Sequence, residues 1–150
     1  LNPNFANAHS NLGTILKDLG NLQEAENSCR KVVELNPDCA IAHSNLGTTL
    51  RDLGNLQEAE ISTRKAIALN PDFPNAHSNL GIILQELGNL QEAEISTRKA
   101  IKLKPNSAQA YQNLGNIFSA LGKKIESNEC YIKAIDLKNW NIAMAWKING

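Results

Sequence analysis

The string Ala-His-Ser-Asn-Leu-Gly begins at Ala8, Ala42 and Ala76, and Pro37, Pro71 and Pro105 keep the same step of 34 residues. A fixed period of this length outranks local propensity, because it makes the chain a series of copies of one small structural unit. A longer string, Asp-Leu-Gly-Asn-Leu-Gln-Glu-Ala-Glu, starts at Asp18 and Asp52 and recurs from Glu86 with Glu in place of Asp. Cutting at this step gives four units, residues 6–39, 40–73, 74–107 and 108–141, with 1–5 read as the tail of a preceding repeat. Units one and two agree at 25 of 34 positions, two and three at 24, and three and four at only 13. The chain is a tandem array whose fourth member has diverged.

Each unit predicts two helices. In unit one, Ala8, Leu12, Gly13, Leu16 and Leu19 fall on one face at steps of three and four, and Gly20-Asn21 interrupts the run. Asn21 followed by Glu24 has the spacing of an N-cap and capping box, as do Asn55/Glu58 and Asn89/Glu92. The second helix carries Leu22, Ala25, Cys29, Val32 and Leu35 on its buried face. Asn36-Pro37-Asp38 stops it, because proline cannot continue the ladder, and Asp38 is expected to cap the helix that follows. One such pair cannot bury its own apolar stripe and must stack on its neighbours. Small residues at Gly13/Ala25, Gly47/Ala59 and Gly81/Ala93 suit a close approach of the paired helices. The expected class is all-α.

Composition narrows the function classes. Over 150 residues, 15 Lys+Arg balance 15 Asp+Glu, with no basic block to bind nucleic acid or an anionic membrane. No stretch approaches the ~18 apolar residues that span a bilayer. The three cysteines, Cys29, Cys39 and Cys130, are odd in number and show no Cys-x-x-Cys spacing, so free thiols in a reducing, cytoplasmic compartment are expected, with no metal and no cofactor. The opening Leu1-Asn2-Pro3 matches the end of a unit, and the sequence reads as a piece of a longer protein.

The motif His9-x2-Leu12-Gly13-x2-Leu16, then Ala25-x3-Cys29, then Pro37, repeats in register. It resembles the tetratricopeptide repeat (TPR), in which an aromatic, Leu-Gly, a second aromatic, Ala, an aromatic and Pro recur over 34 residues. The resemblance covers essentially the whole chain and implies an α-solenoid of helix-turn-helix repeats forming a right-handed superhelix. The chain departs from it with His9, His43 and His77 where Trp is usual, and Leu16, Leu50 and Leu84 where Tyr is usual. Unit four regains aromatics at Tyr111, Phe118 and Tyr131, lacks the proline, and has Lys123 in place of the capping Asn. Residues 142–150, with Ala143-Met144-Ala145-Trp146, resemble the start of a further repeat or a closing helix.

In TPR arrays the first helix of each unit lines a concave groove that takes extended peptides. Projected on that face, unit one offers Asn7, Ser10, Asn11, Thr14, Lys17 and Asp18, and unit two Ile41, Ser44, Asn45, Thr48, Arg51 and Asp52. Unit three offers Asn75, Ser78, Asn79, Ile82, Gln85 and Glu86, and unit four Gln109, Gln112, Asn113, Asn116, Ser119 and Ala120. One position is asparagine throughout: Asn11, Asn45, Asn79 and Asn113. A carboxamide donates and accepts, so a row of them can pair with a peptide backbone whatever its side chains are. This arrangement is similar to the asparagine ladder of O-linked N-acetylglucosamine transferase TPR arrays, which the Ala-His-Ser-Asn-Leu-Gly wording also resembles. Duplication of solvated, neutral residues is the bland alternative, and it accounts for units one to three better than for Asn113.

Other chemistries are weaker. TPR domains that grip acidic C-terminal tails use Lys at the fifth repeat position, where this chain has Ser10, Ser44, Ser78 and Gln112. Basic residues are also missing at Asn75 and Asn79, so a carboxylate lacks a charge-assisted partner. Histidines one unit apart cannot converge on one ion when neighbouring helices lie about 8–10 Å apart, so packing at helix interfaces is expected of them. Cys29, on a buried face, reads as a small hydrophobe. No catalytic constellation is present, and the chain is not expected to be an enzyme. The leading reading is a protein-interaction module that binds an extended peptide through the asparagine ladder. The alternatives are the recognition arm of a larger enzyme such as a glycosyltransferase, or a scaffold that self-associates end to end through faces near Phe5, Trp140, Ile142 and Trp146.

Overall fold

The computed structural model describes the backbone of residues 12–149 and the side chains of residues 12–140. Those residues form eight helices and no strand: α1 (12–18), α2 (Leu22–Leu35), α3 (Ala40–Asp52), α4 (Leu56–Leu69), α5 (Pro74–Glu86), α6 (Leu90–Leu103), α7 (Ala108–Ala120) and α8 (Lys124–Asn149). Each of α3, α5 and α7 packs against the second helix of its unit and against the second helix of the preceding unit. Consecutive first helices also touch, α3 on α5 and α5 on α7. The more tightly spaced layer lies inside a curved stack, so α3, α5 and α7 line its concave side. The architecture is an α-solenoid.

The turn within each unit is a backbone device. Gly20, Gly54, Gly88 and Gly122 all take positive φ, between 75° and 83°, which an L side chain resists. The next amide closes the helix end, with Asn21 N donating to Leu16 O at 2.8 Å and Asn55 N to Leu50 O at 2.9 Å. Asn21 then sits at φ −81°, ψ 62°, the centre of an inverse γ-turn in which Leu22 N donates to Gly20 O at 2.9 Å. This corrects the expected capping box: Asn21, Asn55 and Asn89 occupy the N-cap position, but none makes a side-chain capping bond. Lys123 N–H and C=O make the same turn bonds in unit four, so the asparagine is dispensable.

Between units, the residue before the helix is the cap rather than Asp38. Cys39, Phe73 and Ser107 hold that place, and of these only Ser107 caps with its side chain, accepting from Ala110 N at 3.2 Å. The boundary expected at residue 141 carries no break, and α8 continues to Asn149. Asn139 stands where Pro37, Pro71 and Pro105 stand in the other units, so nothing removes the helical hydrogen bond there.

The core is shared between units. Cys29, Leu46, Leu50, Ala59 and Ile83, drawn from three successive units, form one buried cluster with Val33 and Leu87 against it. Leu80, Leu84, Ala93 and Ile117 form the next cluster one step along. On the second-helix side, Arg30 bridges to Glu58 of the following unit at 2.6 Å, and Arg64 to Glu92 at 2.5 Å.

Candidate functional site

The asparagine row lies on α3, α5 and α7 as Asn45, Asn79 and Asn113. Asn45 and Asn79 are half-buried, and Asn113 is buried. Asn79 reaches back one unit, donating from Nδ2 to Thr48 Oγ1 at 2.9 Å and to Ser44 Oγ at 3.4 Å. Thr48 fixes the sense of this bond. Its hydroxyl donates to Ser44 O of its own helix at 3.0 Å, so its one proton is spent and it meets Asn79 with lone pairs. The amide nitrogen must face it, and the Asn79 carboxamide is held with Oδ1 outside those bonds.

Asn113 is held differently. Its Nδ2 donates to Ser78 Oγ at 3.2 Å, and its Oδ1 accepts from Gln109 Nε2 at 2.9 Å. Ile82 occupies the place of Thr48 and offers no acceptor. With both ends engaged and 4% of its surface exposed, Asn113 ties α7 to α5. The side chains that secure the row, Ser44, Ser78, Thr48 and Gln109, belong to the same concave stripe, so part of its polarity serves contacts between units.

A cavity of 420 Å³ opens on this face, with Asn45, Asn79, Ser44 and Ser78 in its lining. Its remaining wall includes Phe73 and Lys104, which lie outside the first helices, and Pro74 at the start of α5; a projection of the polar positions of the first helices misses all three. The signal was available: Phe73-Pro74 stands at the junction of units two and three where Cys39-Ala40 joins units one and two, an enlargement of the inter-unit turn. Lys104 is the one charged side chain among the described lining residues. A second, smaller depression of 60 Å³ is lined by Thr14, Lys17, Asn45 and Thr48, so Asn45 borders both.

The other expected residues are placed as follows. Ser10 and Asn11 lie outside the described residues, as do Phe5 and the side chains of Ile142 and Trp146. Arg51 is paired with Asp52 at 2.5 Å, which cancels its charge on the groove. Asn116 Oδ1 accepts from Tyr131 of α8 through its hydroxyl at 2.8 Å, binding it to the second-helix layer.

His43 and His77 are turn clasps more than packing residues. Nε2 of His43 meets Pro37 O at 2.8 Å, and Nε2 of His77 meets Pro71 O at 2.8 Å. A carbonyl only accepts, so Nε2 carries the proton in both rings. Among the described residues no group of His, Cys, Asp and Glu is placed to hold a metal ion. Cys29 is 6% exposed with its sulfur 3.7 Å from Thr49 Oγ1, and burial pushes its thiol pKa up. No helix among the described residues is long and apolar enough to cross a membrane.

Helix pairs stacked in register around a polar inner stripe define a helical-repeat interaction scaffold. Family profiles described as tetratricopeptide repeat match residues 4–72, and also residues 63–95 and 97–127. The chain belongs to the tetratricopeptide repeat family, whose arrays are protein-interaction modules. No curated protein sequence matches it. Among solved structures, MamA is similar at 27% identity and a TM-score of 0.81, over 95% of this chain and 83% of MamA. An O-GlcNAc transferase mutant of Thermobaculum terrenum is similar at 26% identity and a TM-score of 0.75, over 77% of this chain but only 22% of that one. The first TPR of Spaghetti, solved bound to an HSP90 peptide, shares the fold at 24% identity and a TM-score of 0.77, over 81% of this chain and 97% of that one.

Proposed function

We propose that the concave face binds an extended peptide segment, and that Asn45 and Asn79 are the working rungs of its ladder. The observation that carries this reading is the fixed amide of Asn79, whose bonds to Thr48 and Ser44 leave Oδ1 to accept a peptide N–H beside the 420 Å³ cavity. A side chain already held in its binding orientation loses little entropy when the ligand arrives. Ser78, Thr14 and Lys17 border the same path, with Ser10 and Asn11 continuing it in the sequence. Asn113 closes the row, since it is buried and its Oδ1 already accepts from Gln109.

Ser44, Ser78 and Gln112 hold the places where a clamp for a C-terminal carboxylate puts its lysine, and Arg51 is neutralised by Asp52. Recognition then rests on backbone and shape, and the array binds without chemistry of its own. Two rungs contribute about 1–3 kcal/mol together, roughly 5- to 150-fold in affinity. A peptide selected from a random displayed library against the wild-type chain should lose at least about fivefold in affinity to the Asn45→Ala/Asn79→Ala variant. Unchanged affinity, with helicity retained by circular dichroism, would sink the ladder.

A second reading is that this array serves as the recognition arm of a glycosyltransferase. The similarity to an O-GlcNAc transferase, of which the chain matches 22%, favours it. Finding a glycosyltransferase domain in the same polypeptide would support this reading, and a full-length polypeptide without one would retire it.

A further inference from the structure

We infer that the 420 Å³ cavity beside the rungs is a side-chain subsite for an acidic residue of the bound peptide, with Lys104 as its counter-charge. This rests on peptide binding in the groove and adds a choice among side chains, which the rungs themselves do not make.

The cavity lies where two nearly identical repeats differ. Units two and three differ at ten of 34 positions, and residues 53–67 and 87–101 are the same string of 15. Four of the ten differing positions place residues in the cavity wall: Pro74 against Ala40, Ile41 against Asn75, Lys104 against Asn70, and Phe73 against Ser107. The second helices are copied almost intact, while the wall of one cavity is rebuilt.

That rebuilding is one-sided in charge. The turns Asn36-Pro37-Asp38 and Asn70-Pro71-Asp72 each carry one negative charge, and the third, Lys104-Pro105-Asn106, carries one positive charge. Lys102 stands where unit two has Ala68 and adds a second cation close by. Among the described residues no Asp or Glu lines the cavity. Asp72, next to the Phe73 wall, is paired instead with Lys99 of α6 at 3.3 Å.

Two hydroxyls of the wall are left as donors. Ser78 Oγ accepts from Asn113 Nδ2 at 3.2 Å and Ser107 Oγ accepts from Ala110 N at 3.2 Å, so each keeps its proton for an acceptor. An ionised carboxylate only accepts, and its hydrogen bonds are roughly twice as strong as those between neutral groups. Exposed Ile41 and half-buried Phe73 supply apolar surface for the methylenes of the same side chain.

The test selects peptides on the wild-type chain from a random library displayed through its C terminus, so that only side chains offer carboxylates. Asp or Glu should dominate one position. Replacing that residue by Gln in a synthetic peptide should lower affinity about threefold or more at ~0.1 M salt, and the loss should shrink at ~1 M salt. Lys104→Asn should give the same loss; Asn70 already holds the equivalent place with φ −140° against −137° at Lys104. Lys104→Glu should weaken the acidic peptide further and bind its Lys-substituted form better than the wild type does. Circular dichroism checks that both variants keep their fold. Selected peptides without an acidic position, or affinities indifferent to Lys104, would overturn the subsite, and the ladder would still stand if Asn45→Ala/Asn79→Ala weakens binding. A loss at Lys104 with none at the two asparagines would keep the subsite and remove the ladder. A library that yields no binding peptide would remove both.

Discussion

Asn79 on α5 is hydrogen-bonded through Nδ2 to Thr48 Oγ1 on α3 at 2.9 Å, and the Thr48 proton is already donated to Ser44 O. One threonine therefore decides which end of a carboxamide one repeat away faces the groove. Thr48→Val keeps the side-chain shape, removes the acceptor and leaves the weaker 3.4 Å contact to Ser44. The expected cost is about 1 kcal/mol of stability in urea unfolding, from one lost hydrogen bond. Peptide affinity should fall as well, although Thr48→Val leaves Asn79 itself unchanged. Affinity that drops with Asn79→Ala but not with Thr48→Val would separate the rung from its tether.

Gly47 and Thr63 make a second coupled pair. A Cβ added at Gly47 would collide with Thr63 Oγ1 and lie 3.1 Å from Ala59 O. Thr63 Oγ1 is itself buried without a hydrogen-bond partner. Gly47→Ala should cost about 1–3 kcal/mol through overpacking, more than the ~1 kcal/mol that alanine gains in a helix. Combined with Thr63→Ala, which deletes the colliding atom, most of that cost should vanish. A double-mutant cycle with coupling below about 0.5 kcal/mol would contradict the contact.

Asn139→Pro tests why α8 runs on. Proline there restores the residue found at Pro37, Pro71 and Pro105, removes one helical hydrogen bond and clashes with the carbonyl four residues earlier. Amide exchange protection over residues 140–149 should collapse, while α3 to α7 keep theirs. Undiminished protection beyond residue 139 would show that the missing proline is not the cause of the continuous helix.

The period, the helix pairs and the shared core were legible because they rest on apolar spacing and on glycines that only one backbone geometry requires. The local polar details were not. Asn21 has the right spacing for a capping bond, but the inverse γ-turn at that residue satisfies the backbone without its side chain. Asp38 lost its role to Cys39 because helix α3 starts two residues after it. In the groove, Asn113 looked identical to Asn79, and what separates them is Ile82 in place of Thr48 and Gln109 one turn before it. Such differences arise from pairs of side chains in adjacent units, which a position-by-position alignment of repeats does not display.

The cysteines give a pH prediction. Burial raises the thiol pKa of Cys29 and of Cys130 above the ordinary value of 9.0. Above that value the unfolded chain ionises these thiols while the fold keeps them protonated, so the folded state binds more protons and stability falls as pH rises. Thermal midpoints measured between about pH 8 and about pH 10 should decline, and Cys29→Ala should flatten the decline. In native protein a thiol reagent should modify half-buried Cys39 first, with Cys29 and Cys130 reacting only on unfolding. Equal reactivity of all three would count against the buried placement.

The bonds from Asn79 to α3 and from Asn113 to α5 form only when consecutive first helices sit at one axial offset. They act as a gauge on the rise of the stack. With inner helices about 8–10 Å apart and an extended strand advancing about 3.3 Å per residue, one rung falls opposite roughly every third residue. A ligand in that groove is measured by its stride: a segment that can stay extended keeps step with the rungs, and one that coils loses count.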